Sequence, residues 1–140
     1  MADIKEKIAA ELENIQTVVL ELKNIGNVSS MTSIELAGIG ALLHNFYNGI
    51  ENILKQIFLA KGATIPSGSY WHRDLLEEAC VKAVISPHLK EKLGLYLAFR
   101  HFFIHGYTFK IKADRLSPLV ERVDSVFGDF VTELKRQEMV

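Results

Sequence analysis

The chain is poor in cysteine and proline, has almost no net charge, and lacks long apolar runs. Its single cysteine, Cys80, excludes an intramolecular disulfide and a cysteine-rich metal cage, so the sequence reads as a protein of a reducing compartment, with the cytoplasm as the expected location. Three prolines and nine glycines in 140 residues exclude a collagen-like repeat and argue against disorder. Sixteen Lys and Arg against seventeen Asp and Glu leave a net charge of -1, which excludes a globally basic nucleic-acid coat protein. Any contact with RNA or DNA is therefore local. The longest charge-free stretch, Leu36 to Ile50, holds 15 residues and includes His44, Asn45 and Asn48. The N-terminus carries Asp3, Lys5, Glu6 and Lys7 where a secretory signal needs an apolar core. Neither export nor a membrane span is expected.

What is present is an ordinary globular balance of 49% hydrophobic and 24% charged residues, enough for one domain over residues 1–140. The pattern is helical. Ile4, Ile8, Leu12, Ile15, Val19 and Leu22 recur every 3.6 residues on average, predicting a helix from about Asp3 to Ile25 that stops at Gly26 and Asn27. Thr32 followed by Glu35 forms a capping box for a long second helix to Lys61, with apolar positions from Ile34 through Leu42, Phe46, Ile50 and Ile53 to Phe58. Gly38, Gly40 and Gly49 each cost that helix roughly 1 kcal/mol relative to Ala, a cost that close approach of another helix would offset. A short helix is expected over His72 to Val84. Ser86-Pro87 opens a fourth, which carries Leu89, Leu93, Tyr96, Leu97, Phe103 and Ile104 and ends at Gly106. Leu116, Val120, Val123, Phe127, Phe130 and Leu134 mark a last helix that begins at Asp114 or at Ser117-Pro118. Thr108 to Lys112 alternates too briefly for a sheet. The expected fold is all-α, an up-and-down bundle of four to five helices.

Titratable residues gather at the end of the fourth helix, in Arg100-His101-Phe102-Phe103-Ile104-His105-Gly106-Tyr107. On a continuous helix Arg100 and His105 point about 140° apart, whereas His101 and His105 lie about 40° apart on one face. Arg100 and His105 would then share a ligand only if the helix unwinds near Gly106 or a second copy completes the site. The plain structural alternative is an arginine paired with a core carboxylate and histidines capping the last carbonyls. A metal on His101 and His105 is a further alternative, although helical zinc motifs add a glutamate and a third ligand that this stretch lacks. From His88 to Arg115 the basic residues Lys90, Lys92, Arg100, Lys110, Lys112 and Arg115 face only Glu91 and Asp114, a local charge of +4 that would attract an anion or simply form a solvated face. Tyr70 and Trp71 suit base stacking or, more plainly, a staple to the core. Cys80 reads as a small buried apolar residue, and His44 as an interhelical hydrogen-bond partner.

Arg100, four residues, His105, one residue and Tyr107 form an R-x4-H-x-Y pattern that resembles the signature of HepT-like toxins in the HEPN superfamily of helical ribonucleases. His101 fits the position after the arginine, and Pro66-Ser67-Gly68 through Trp71-His72 and Asp74-Leu75-Leu76 is similar to HepT-like sequences as well. The resemblance implies a toxin that cleaves RNA without metal or cofactor, in a cleft between the two subunits of a homodimer. Arg100, His105 and His101 would be its catalytic residues. It implies also a small nucleotidyltransferase antitoxin of the MntA type, which transfers AMP onto the motif tyrosine, here Tyr107. The chemistry suits the residues. Histidine has the pKa to take a proton from the RNA 2′-hydroxyl, and arginine offers fixed charge to the phosphorane. Lys110 and Lys112 would add electrostatic attraction for RNA. Gly38, Gly40 and Ala41 suggest a dimer contact through the second and fourth helices. The alternative function is a catalytically silent HEPN module that scaffolds the nucleotidyltransferase. A bundle unrelated to nucleotides would leave the basic segment without a role.

Overall fold

The computed structural model describes residues 3–106 and 110–140. Among these, the regular elements are helical: α1 (Ile4–Lys23), a 3₁₀ turn (Val28–Ser30), α2 (Ser33–Ala60), α3 (Trp71–Val81), α4 (Pro87–Ile104) and α5 (Ala113–Arg136). The all-α bundle expected from periodicity is the observed fold.

Local chemistry sets most of the boundaries. The Thr32 hydroxyl accepts from the Glu35 N–H at 3.1 Å, and the Glu35 carboxylate accepts from the Thr32 N–H at 2.9 Å, which closes the capping box of α2. Ser86 caps α4 by accepting from the Leu89 N–H at 3.1 Å, and its own N–H and hydroxyl both donate to Glu133 of α5. The start of α4 is thus tied to the last helix. One boundary differs from expectation, and the start of the last helix falls beside Asp114 rather than at Ser117-Pro118. Helix α3 stops at Val81 because Ala83 takes φ 59° and the Val84 and Ile85 N–H groups fold back onto the Ala79 carbonyl, which buries both side chains. Helix α5 begins at Ala113, so Pro118 lies inside it and forgoes only the bond its N–H would have made to the Asp114 carbonyl.

The buried side chains form one cluster around α2, which touches α1, α3, α4 and α5. Two of its glycines admit close neighbours. A β-carbon on Gly49 would meet Ile15 of α1 at 2.5 Å, and one on Gly40 would meet the Phe103 ring of α4 at 2.9 Å. Gly38 faces open space, so close approach does not account for it. Gly40 is covered by this chain's own Phe103 and is no bare seam for a second copy. Ile34, expected on the apolar stripe, is 77% exposed because it sits in the first turn of α2, ahead of the core. Ile104 is likewise exposed, whereas Phe99 is the buried aromatic near the end of α4. The Tyr96 hydroxyl donates to the Leu119 carbonyl at 2.7 Å, fastening α4 to α5 deep in the core.

Candidate functional site

Helix α4 carries Arg100 and His101 in its final turns, and His105 is its C-terminal cap, followed by Gly106 at φ 86°. A positive φ suits glycine, so the helix stops where the glycine pattern predicts. Arg100 is half-buried, and its Nε donates to the Asn48 side-chain oxygen of α2 at 3.4 Å. Together with His101 it lines a cleft of about 320 Å³ that also takes in Ser69, Tyr70, His72 and Arg73. The His105 ring lies 4.2 Å, centroid to centroid, from that of His101, and the backbone N–H of His105 donates to the His101 carbonyl. Arg100 and His101 therefore share the cleft, whereas His105 does not line it and, among the described residues, touches the His101 ring. No hydrogen bond or ring contact links Arg100 to His105 among the described residues. That agrees with the wide angle expected between them.

Against the cleft residues Arg100 and His72 packs a polar stripe on α2, of which the sequence singled out His44 alone. His44, Asn48, Glu51 and Lys55 follow at steps of four, three and four, which places them on one face of the helix. That spacing was the available signal. Glu51 is 3% exposed at its side chain, and both carboxylate oxygens lie 2.9 Å from Nδ1 of His72 on α3. Burial pushes the Glu51 carboxyl up to about 7, against the opposing pull of the Arg100 and Lys55 charges. Burial, with the charges of Arg100, Lys55 and His44, presses His72 down to about 4. Near neutral pH the pair is accordingly poised to gain or lose one shared proton. The Tyr47 hydroxyl, one turn before Glu51, is buried without a hydrogen-bond partner, and burial pushes its pKa far up, with the Glu51 charge adding to the effect.

His44 departs from expectation. Its hydrogen bond is intrahelical, Nε2 to the Asn48 amide at 3.1 Å, while its interhelical contact is a ring contact with Phe103 at 5.5 Å. Burial, aided by the Arg100 charge, lowers its pKa and favours the neutral ring. Trp71 is half-buried against the core, as a staple would be, with the Lys55 ammonium 4.1 Å from its ring. Cys80 is only partly buried.

The basic segment divides into two parts. Lys90 and Lys92 are engaged by Glu77 and Asp129 at 2.7 and 2.8 Å, away from the motif. Lys110 and Lys112 are exposed, and the Arg115 guanidinium stacks on Phe102 at 4.1 Å. Arg73, outside the basic segment of the sequence, brings further positive charge to the cleft, and Lys55 brings it to the Glu51–His72 pair. Tyr107 lies outside the described residues. Among the described residues no group of three or more His, Cys, Asp or Glu side chains is placed to hold a metal ion, and no helix is long and apolar enough to cross a membrane.

Neither a curated protein nor a solved structure matches the chain. A family model described as HepT-like protein matches residues 38–139, well over half of the sequence. The matched span takes in the polar stripe of α2, His72, and the whole of Arg100 to Tyr107. On that match the chain belongs to the HepT-like proteins.

Proposed function

We propose that the protein is a metal-independent endoribonuclease toxin, acting as a homodimer and neutralised by a nucleotidyltransferase antitoxin that adenylates Tyr107. One observation carries this reading: a cationic cleft in which Arg100, Arg73 and His101 face one volume, with the His105 ring tilted against that of His101. An RNA phosphate in that cleft meets fixed positive charge next to imidazoles suited to proton transfer. His105 removes the 2′-hydroxyl proton, the oxygen attacks the adjacent phosphorus, and Arg100 stabilises the phosphorane charge while His101 orients the phosphate. The second subunit supplies groups that the end of one α4 cannot aim at the same point. Lys110 and Lys112, exposed beyond the motif, hold the flanking backbone. An adenylate on Tyr107, two residues past His105, would place a phosphate charge in competition for Arg100.

The test is cleavage of single-stranded RNA by the purified protein in excess chelator, with product ends read by mass. The expected products carry 2′,3′-cyclic phosphates, and Arg100→Ala and His105→Ala each lower the rate by at least ~100-fold. Light scattering is expected to give twice the 15.8 kDa chain mass. Full activity in both variants overturns the assigned roles. A protein that binds the nucleotidyltransferase but leaves RNA intact is the silent binding module instead.

A further inference from the structure

The base and the phosphorane-binding arginine leave one requirement of RNA cleavage unmet. The departing 5′-oxygen is an alkoxide and needs a proton. The geometry points to His72, held by Glu51, as the general acid that supplies it; this assignment rests on the ribonuclease reading above. His72 is the imidazole of α3 that lines the same cleft as Arg100 and His101, opposite the end of α4. Its Nδ1 is committed to Glu51 at 2.9 Å, whereas Nε2 takes no hydrogen-bond partner among the described residues and is left to the cleft. Glu51 is sealed at 3% exposure and His72 reaches solvent at 22%, so the pair runs from the core to the cleft.

The tautomer follows from the pairing. With one proton beyond the anionic pair, either an imidazolium faces a carboxylate or a neutral imidazole accepts from a carboxylic acid. Both forms place a hydrogen on Nε2. The charged and titratable groups around the pair are His44, Tyr47 and Lys55 from α2, Tyr70 and Arg73 at the start of α3, and Arg100 and His101 from α4. The cations among them favour release of that proton into the cleft. The raised carboxyl pKa of Glu51 keeps the proton available near neutral pH. In the step, the O2′–H proton passes to His105, O2′ bonds to phosphorus, and the P–O5′ bond breaks. O5′ then takes the hydrogen of His72 Nε2. The products are a 2′,3′-cyclic phosphate and a 5′-hydroxyl; His105 then gives up its proton to water, and the pair takes one back from water. Glu51 acts through His72 and is a positioning residue.

The experiment compares two substrates, ordinary RNA and RNA with a bridging 5′-sulfur, whose thiolate leaves without a proton. His72→Ala and His72→Gln are each expected to lose at least ~100-fold on ordinary RNA and to come within about tenfold of the parent on the sulfur substrate. His105→Ala should lose on both. Glu51→Gln should move the alkaline limb of the pH profile on ordinary RNA to lower pH, since a neutral amide stabilises the imidazolium less than a carboxylate does. The ratio of the two rates within one variant does not depend on the fraction folded. An unchanged ratio for the His72 variants, whether both rates fall or neither does, overturns the assignment. If the parent protein cleaves neither substrate, it is the ribonuclease reading that fails.

Discussion

Gly49 of α2 and Ile15 of α1 stand so close that a β-carbon on the glycine would meet the isoleucine at 2.5 Å. Both residues are buried, and Gly49 lies on the longest helix of the bundle, so the side chain cannot swing into solvent. Gly49→Ala is expected to cost about 1–3 kcal/mol through overpacking. Gly38→Ala, on the same helix but facing open space, should be neutral or stabilising by up to about 1 kcal/mol. Urea denaturation of the two variants checks the contrast, and equal effects would show that helix propensity alone governs both sites.

Tyr96→Phe removes the hydroxyl that donates to the Leu119 carbonyl and leaves that acceptor buried. A loss of about 1–2 kcal/mol is expected. Thermal unfolding measures it, and an unchanged midpoint would mean that the carbonyl has found another donor.

Stability should depend on pH through Glu51. Its folded pKa, about 7, exceeds the ordinary 4.5, so its contribution is complete at low pH and is lost as pH rises toward 7. His72, lowered from 6.5 to about 4, has the opposite sign: its contribution is present above 6.5 and lost as pH falls. Glu51→Gln removes the first effect. Its stability relative to the parent should therefore improve between pH 5 and pH 8, by about 1–3 kcal/mol. Unfolding curves at those two pH values decide the sign.

Tyr107→Phe keeps the ring and removes the hydroxyl that would accept AMP. Cleavage of RNA should be retained within about threefold, because the ring is conserved in shape. Neutralisation by the co-expressed nucleotidyltransferase should disappear. Intact mass is expected to show adenylate on the parent and none on the variant. A variant modified as readily as the parent would move the modification to another residue.

The double variant Lys110→Ala, Lys112→Ala should bind RNA more weakly at every sequence and reduce the slope of log affinity against log salt by about 1–2. The order of preference among cleavage sites should not change. A changed preference would show that these side chains read bases.

The helices were legible because their period and end chemistry agree: the Thr32 and Glu35 capping box and Ser86-Pro87 lie where the pattern placed them. The end of α3 was less legible, since it depends on Ala83 adopting a conformation that alanine rarely takes, held by the bonds of Val84 and Ile85 to the Ala79 carbonyl and by burial of both side chains. In the site, Arg100, His101 and His105 stood out as a dense polar run in one short segment. Glu51 and His72 did not, because they lie 21 residues apart and meet only when α3 folds back on α2. Each alone resembles an ordinary surface residue.

The same helix that props up the core also holds the cleft residues His72 and Arg100 through Glu51 and Asn48, and this has a genetic consequence. Alleles that silence the chain should sort into two kinds. Changes at exposed His101 and His105 would leave full-length protein at normal abundance without activity. Changes at Gly49, or at buried Tyr47 and Glu51, would lower the steady-state amount as well, because activity and folding are inherited through one segment. A screen for survivors that measures abundance beside growth would see those two populations separate along α2 and the end of α4.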